Sequence, residues 1–186
     1  NLLPADLKKA DEAIERADLL LMQLEIPMAS IEYAARKAAS LGKQVILNPA
    51  PASPLSADLL RDLYLITPNE TEAEAISGIK ITDLDSAGQA AEAIARQGVR
   101  NVIITLGAKG ALIHSNGQQE LVPAYPVKAV DTTAAGDVFN GALAVAIAEG
   151  RPLVEAVRFA CKASAISVGR AGAQSSVPYR NEVDIF

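Results

Sequence analysis

Asn101-Val102-Ile103-Ile104-Thr105-Leu106 is apolar without alternation, so both faces of the strand it spells must be buried. A helical pattern from Asp85 to Gln97, closed by Gly98, precedes it, and a turn from Gly107 to Gly110 follows. A strand covered on both faces and fed by a helix belongs to a parallel sheet flanked by helices. The same alternation runs outward in both directions. Toward the N-terminus lie a short acidic helix, Glu70 to Ser77, a strand, Leu63 to Thr67, and a helix from about Ser56. Before these come a Pro-rich loop, Pro49 to Pro54, a strand, Gln44 to Leu47, and an Ala-rich helix, Met28 to Leu41, ended by Gly42. A buried strand, Asp18 to Leu24, and a helix, Ala5 to Ala17 with Pro4 near its start, complete that side. Toward the C-terminus, Gly110 to Ser115 pairs with Gln119 to Val122 around Asn116-Gly117, a hairpin signal. The last long helices are Gly136 to Ala148 and Leu153 to Val168. The expected fold class is therefore α/β, a mainly parallel sheet flanked by helices. The 186 residues predict one domain, 1–186.

Composition narrows the function classes. Half of the residues are hydrophobic but only 4% are aromatic, with no Trp, so the core rests on Leu, Ile, Val and Ala. A net charge of −5 argues against nucleic acid or an anionic membrane as partner. No apolar run approaches the ~20 residues of a membrane span. Cys161 is the only cysteine, which precludes an internal disulfide and suits a reducing, cytoplasmic setting. His114 is the only histidine and sits in a hairpin strand, where it reads as structural. One His and one Cys cannot build a zinc site beside a His-based triad. No G-x-G-x-x-G follows the first strand, which disfavours a dinucleotide-binding dehydrogenase.

Parallel α/β sheets bind ligands outside the carboxyl ends of their strands. Glu25, Asn48, Asn69 to Glu72, and Gly107 to Gly110 all fall at such ends. Asp131-Thr132-Thr133-Ala134-Ala135-Gly136-Asp137 runs from an irregular segment into an apolar helix. Its small residues let backbone N–H groups approach an anion, and the helix start adds orphan donors and the positive end of the dipole. Asp137 falls in that first turn. A phosphate cradle beside a fixed carboxylate suits phosphoryl transfer to a hydroxyl. Position alone equally suits a carboxylate that serves only the dipole, and the acids Glu70, Glu72 and Glu74 fit a plain helix start equally well.

With its flanks, the Asp131–Asp137 stretch resembles the C-terminal signature of the ribokinase-like carbohydrate kinases. Leu21 to Glu25, Asn48 to Pro51, Thr67 to Glu74, Thr105 to Gly110 and Gly172 to Pro178 recur in the same order in the ribokinases of that family. The resemblance covers essentially the whole chain and implies a three-layer ribokinase-like fold. It implies ATP-dependent transfer of a phosphoryl group to the 5-hydroxyl of ribose. Another sugar or nucleoside kinase, or a non-catalytic nucleotide-binding fragment, are the alternatives. The implied general base is Asp137, which also meets the sugar with Glu25. Ala134, Ala135 and Gly136 form the implied anion hole. ATP would meet Asn69, Thr105, Leu106, Gly107, Ala108, Lys109, Gly110, Gly136, Asp137 and Cys161. Cys161 reads equally well as a buried small hydrophobe. Glu72 would organise Mg2+, partly through water. A monovalent cation, K+, would sit on Asp131 and Thr133 with backbone carbonyls of Ser167, Arg170, Gly172 and Ser176. The family's N-terminal sugar-binding strand, its Gly-Gly-Lys-Gly-Ala-Asn segment and its β lid have no counterpart here. The chain therefore reads as a C-terminal portion, inactive alone, of a protein that dimerises through that lid.

Overall fold

The computed structural model describes residues 2–186; Asn1, from which the sequence reading starts, lies outside them. The chain forms two compact units. One comprises the residues up to Thr105 together with Leu112–Glu120, and the other Leu106–Ala111 together with Leu121–Phe186.

The first unit is built on a sheet ordered as in the chain: β1 (Leu19–Met22), β2 (Gln44–Leu47), β3 (Leu65–Ile66), β4 (Asn101–Thr105), β5 (Ala111–Ser115) and β6 (Gln118–Val122). β1 to β4 pair in parallel, with Leu21 opposite Ile46 and Leu65 opposite Asn101. The β5–β6 hairpin turns on Asn116 and Gly117, both at positive φ, as the Asn-Gly pair predicts. Ser115 Oγ donates to Asn101 Oδ1 at 2.6 Å, so the end of β5 lies beside the start of β4. The result is a six-stranded, mostly parallel sheet flanked by helices.

Central strands have the predicted burial: Val45, Ile46, Leu47, Leu65, Ile66, Val102, Ile103 and Ile104 are wholly inaccessible. β1 differs. The sequence suggests a buried strand, but Leu19 to Met22 are only half-buried, because β1 has β2 as its one neighbour among the described residues. Helix α3 (Met28–Ser40) covers β1 and β2 with Ile31, Ala34, Ala35 and Ala38, the stripe that helical periodicity requires. Ser56 caps α4 (Ala57–Asp62) by accepting from Leu59 N at 3.2 Å. Helices α5 (Glu70–Ser77) and α6 (Leu84–Ala95) lie against β4.

Two other elements differ from expectation. The helix read over Ala5 to Ala17 is broken into α1 (Pro4–Leu7), a 3₁₀ turn (Lys8–Ala10) and α2 (Asp11–Arg16). Lys8 and Lys9 suit a helix C-terminus, Asp11 and Glu12 an N-terminus, and Ala10 leaves the helical basin between them at φ −102, ψ 7. The strand read over Leu63 to Thr67 is regular only at Leu65–Ile66, although Tyr64 N and Thr67 N still donate to Val45 O and Leu47 O; Pro68 cannot donate, and the chain turns there into α5.

The second unit packs α7 (Ala135–Ala148) against α8 (Leu153–Val168), with α9 (Arg180–Ile185) against α8. Leu143, Ala146, Ala156, Val157 and Ala160 form its fully buried centre. Small residues there allow close approach of the two helices.

Candidate active site

In the first unit, polar groups collect where β1 to β4 end. Asn48 follows β2 and is buried; it joins Gln23, just past β1, to the carbonyl of Thr67, just past β3. Asn69 makes an isolated parallel bridge with Thr105, and Thr105 N donates to Pro68 O at 2.9 Å. Asn69 is also the N-cap of α5. Its Oδ1 accepts from Glu72 N at 2.8 Å, and Glu72 Oε2 accepts from Asn69 N at 2.9 Å.

The spacing Asn69-x-x-Glu72 is thus a capping box, a sound structural reason for both residues. Glu72 is unlike a usual cap, however, because it is only 7% exposed. Burial pushes its carboxyl above the ordinary glutamate range, and the bond from the Asn69 amide partly offsets this. Glu72 Oε1 keeps contact with solvent, since no buried side-chain oxygen among the described residues lacks a partner. One half-committed carboxylate suits a divalent ion that keeps water and rides on phosphates. Among the described residues no three His, Cys, Asp or Glu side chains cluster as a cage. Glu25 is exposed in the bend after β1.

The second unit holds the other predicted residues. Leu106 to Gly110 is a tight turn closed by Leu106 N to Gly110 O at 2.8 Å, with Gly107–Lys109 in one 3₁₀ turn. Its two glycines differ. A Cβ on Gly110 would strike the carbonyl oxygen of Val122 and come within 2.7 Å of Ala124 N, at a φ of 106. A Cβ on Gly107 would meet nothing within 4 Å. Gly110 is therefore demanded by chain packing, whereas the surface at Gly107 is open to a ligand.

Ala134 caps α7 in the left-handed region at φ 60, an unusual place for a residue with a Cβ. This kink delivers Ala135, Gly136 and Asp137 as the first three helical residues, with Gly136 and Asp137 exposed. Their N–H groups precede the first intrahelical donor, Val138 N, which bonds Ala134 O at 2.9 Å. Two residues overlooked in the sequence fasten this turn. Asn140, buried inside α7, donates to Gly136 O at 2.9 Å, and Ser164 Oγ from α8 donates to Ala135 O at 3.1 Å. Asp137 also borders a mostly apolar cavity of about 480 Å³ lined by Val138, Phe159, Val177 and Arg180.

Asp131 is held from two sides. Oδ1 accepts from Thr133 N and Oδ2 from Gly172 N, each at 2.9 Å. Hydrogen bonds from Thr133 and then from the Gly172 amide lower its pKa to about 2. Val130 N and Asp131 N both reach Val168 O. Ser167 and Ser176 are fully buried and share a 2.7 Å hydroxyl contact, and Ser167 O accepts from Arg170 N. The Arg170 guanidinium pairs with Glu182 at the start of α9. Of the six residues expected around a monovalent cation, Asp131, Thr133 and Gly172 are thus joined directly, and Ser167, Ser176 and Arg170 form a second set next to Val168, whose carbonyl accepts from Asp131 N. Cys161 is buried in α8 with its thiol pushed up to about 11 by burial, as suits a small hydrophobe.

A mostly parallel sheet flanked by helices and carrying polar residues at its strand ends is the α/β arrangement that binds ligands at those ends. The chain belongs to the pfkB family of carbohydrate kinases, whose model matches residues 1–180. A ribokinase from Haemophilus influenzae is 46% identical over 95% of this chain and 58% of its own length. A crystal structure of a Thermotoga maritima ribokinase superposes with a TM-score of 0.85 at 44% identity, covering 94% of this chain and 58% of that one. An Arabidopsis thaliana ribokinase complexed with ribose and ATP gives a TM-score of 0.91 at 32% identity, covering 95% and 58% respectively. The chain therefore spans under three fifths of the length of the relatives it matches.

Proposed function

We propose that this chain is the C-terminal part of one ribokinase-like kinase domain that transfers the γ-phosphoryl group of ATP to the 5-hydroxyl of ribose. Asp137, exposed in the first turn of α7, carries the reading. Identity of 46% with a ribokinase along almost the whole chain supports ribose as acceptor. The Arabidopsis relative's complex with ribose and ATP supports both ligands.

In this reading the Asp137 carboxylate takes the proton of the attacking hydroxyl. The anion hole of Ala134, Ala135 and Gly136 faces the charge that builds on the transferring phosphoryl, and because the Ala135 N–H already donates to Thr132 O at 3.2 Å, Gly136 N–H is the donor assigned to it. Small side chains matter because any larger one would keep the phosphate from the backbone. Asn69, Thr105 and the Leu106–Gly110 turn, including Ala108 and Lys109, meet the nucleotide. Glu72 orients water around Mg2+, an ion that would neutralise phosphate charge. Asp131, ionised and tied to Thr133 and Gly172, fits K+ through its charge and the carbonyl-rich tail, and its order would steady the adjoining Ala134 kink. A cytoplasmic setting and a homodimer formed through the lid belong to the same reading; the lone, buried Cys161 supports the first.

The test is ADP release by the intact protein with ATP, Mg2+ and a panel of ribose, 2-deoxyribose, fructose and adenosine. Ribose is expected to give the highest kcat/KM. A nucleoside preferred over every sugar would replace the acceptor, and no acceptor-dependent turnover would overturn the reading.

A further inference from the structure

Asn48 stands immediately after the last ladder pair of β2 and β3, Leu47 with Ile66. Its side chain is buried, and both ends of its amide are used. Oδ1 accepts from Gln23 Nε2 at 3.2 Å, and Nδ2 donates to Thr67 O at 3.2 Å. A carbonyl can only accept, so the amide orientation follows from the network itself. Asn48 N also continues the ladder to Met22 O, and Thr67 N continues it to Leu47 O. One side chain thereby ties three strand ends.

The backbone of residues 67–69 shows why this matters. The Thr67 amide goes to Leu47 O, Pro68 O accepts from Thr105 N, and Asn69 O accepts from Ala73 N. The Asn69 amide goes to Glu72 Oε2. Thr67 O receives the Asn48 side chain, and Pro68 O takes the Thr105 hydroxyl at 3.5 Å besides the Thr105 amide. Buried backbone groups need partners, so Asn48 sets where the chain leaves β3 and turns toward α5.

We infer that Asn48 is a positioning residue for the Glu72 carboxylate: through Thr67 and Asn69 it fixes where the capping pair presents its open oxygen. Its consequence for metal use rests on the reading of Glu72 given above; its consequence for geometry does not. Asn48→Leu keeps roughly the volume and removes both hydrogen bonds. Gln23→Ala removes the bond to Oδ1 and leaves the Asn48 Nδ2 bond to Thr67 O in place.

The test is residue-resolved amide hydrogen exchange on the 186-residue chain, joined to Mg2+ titrations of activity in the intact protein. In Asn48→Leu the Asn69 amide is expected to exchange about tenfold faster or more, while Val45 to Leu47 and Val102 to Ile104 keep their protection. Gln23→Ala should leave Asn69 unchanged. In the intact protein Asn48→Leu should raise the KM for Mg2+ with little change in kcat at saturating metal. Unchanged exchange at Asn69 would overturn the inference, and so would a uniform rise across all these amides, which marks a merely structural role. Should Asn48→Leu fail to fold, Asn48→Ser, whose hydroxyl is too short to reach Thr67, carries the same measurement. An intact wild-type protein indifferent to Mg2+ would remove the metal reading of Glu72, and the exchange result would still decide the role of Asn48.

Discussion

The shelf of strand ends in the first unit and the start of α7 in the second hold their polar groups by opposite means. On the shelf, side chains are buried and interlocked: Asn48 ties Gln23 to Thr67, and Asn69 and Glu72 cap each other. At α7, Gly136 and Asp137 are exposed, the other side chains are small, and the shape comes from one left-handed residue, Ala134, with Asn140 and Ser164 donating to the Gly136 and Ala135 carbonyls that follow it. The difference teaches what each surface suits. A pre-satisfied shelf suits the orienting of water around a metal without movement of its own. A helix start whose first amides lie outside the intrahelical ladder suits charge that appears only during reaction.

The comparison breaks most visibly at Asp137. In the intact protein Asp137→Asn is expected to lower kcat by on the order of 10²–10⁴-fold while leaving the KM for ATP nearly unchanged, read by steady-state kinetics. A near-normal kcat would reduce Asp137 to a partner of the helix dipole.

Next in size is the contrast between the two glycines of the nucleotide turn. Gly110→Ala forces a methyl against the Val122 carbonyl at a φ that side chains avoid, and should cost about 1–3 kcal/mol or more. Gly107→Ala enters open space and should cost about 1–2 kcal/mol from its backbone angle alone. Thermal unfolding of both variants checks the order, and equal losses would mean that the Val122–Ala124 segment yields easily.

A smaller effect is expected at Glu72. Glu72→Gln keeps the cap but not the charge, and should raise the Mg2+ requirement roughly tenfold, about the worth of one charge-assisted contact. Because burial raises the pKa of Glu72, protons compete with metal at mildly acid pH, so the wild-type KM for Mg2+ should climb as pH falls and the variant's should not. Flat wild-type behaviour would exclude Glu72 from the metal's surroundings.

The smallest effect concerns Asp131. Its folded pKa, about 2, lies below the ordinary aspartate value of roughly 3.9. A depressed carboxyl contributes its stability in full above the unfolded value and loses it as pH falls through the folded one. Exchange protection of the Gly172 amide should therefore hold from neutral pH down to about 4 and fade toward 2. Asp131→Asn should abolish that dependence, and in the intact protein it should also abolish a rate increase by K+. Protection lost already near pH 5 would contradict the Asp131–Gly172 bond.

The shelf was partly legible in the sequence and the helix start more so. The Glu70–Ser77 and Gln44–Leu47 elements fall where capping and apolar runs put them, because short-range chemistry decides both. Asn69-x-x-Glu72 was visible as a spacing, but the burial that sets Glu72 apart from Glu70 and Glu74 depends on β4 and on α6 beside it. Asn140 and Ser164 left no signal, since a polar residue in an Ala-rich helix reads as tolerated until the carbonyl it meets is known. Gly110 looked like part of a ligand loop; only the approach of residues 122–124, distant in sequence, reveals its structural duty. The break at Ala10 was foreshadowed by lysines followed by acids, a pattern that helical periodicity alone passes over.

The most direct measurement follows the phosphoryl group itself. ³¹P NMR of the intact protein with ATP, Mg2+ and ribose, run beside Asp137→Asn, should show ribose 5-phosphate growing with the wild type and held back by on the order of 10²-fold or more in the variant. Equal sugar phosphate from both proteins, or only inorganic phosphate from the wild type, would contradict a sugar kinase whose base is Asp137.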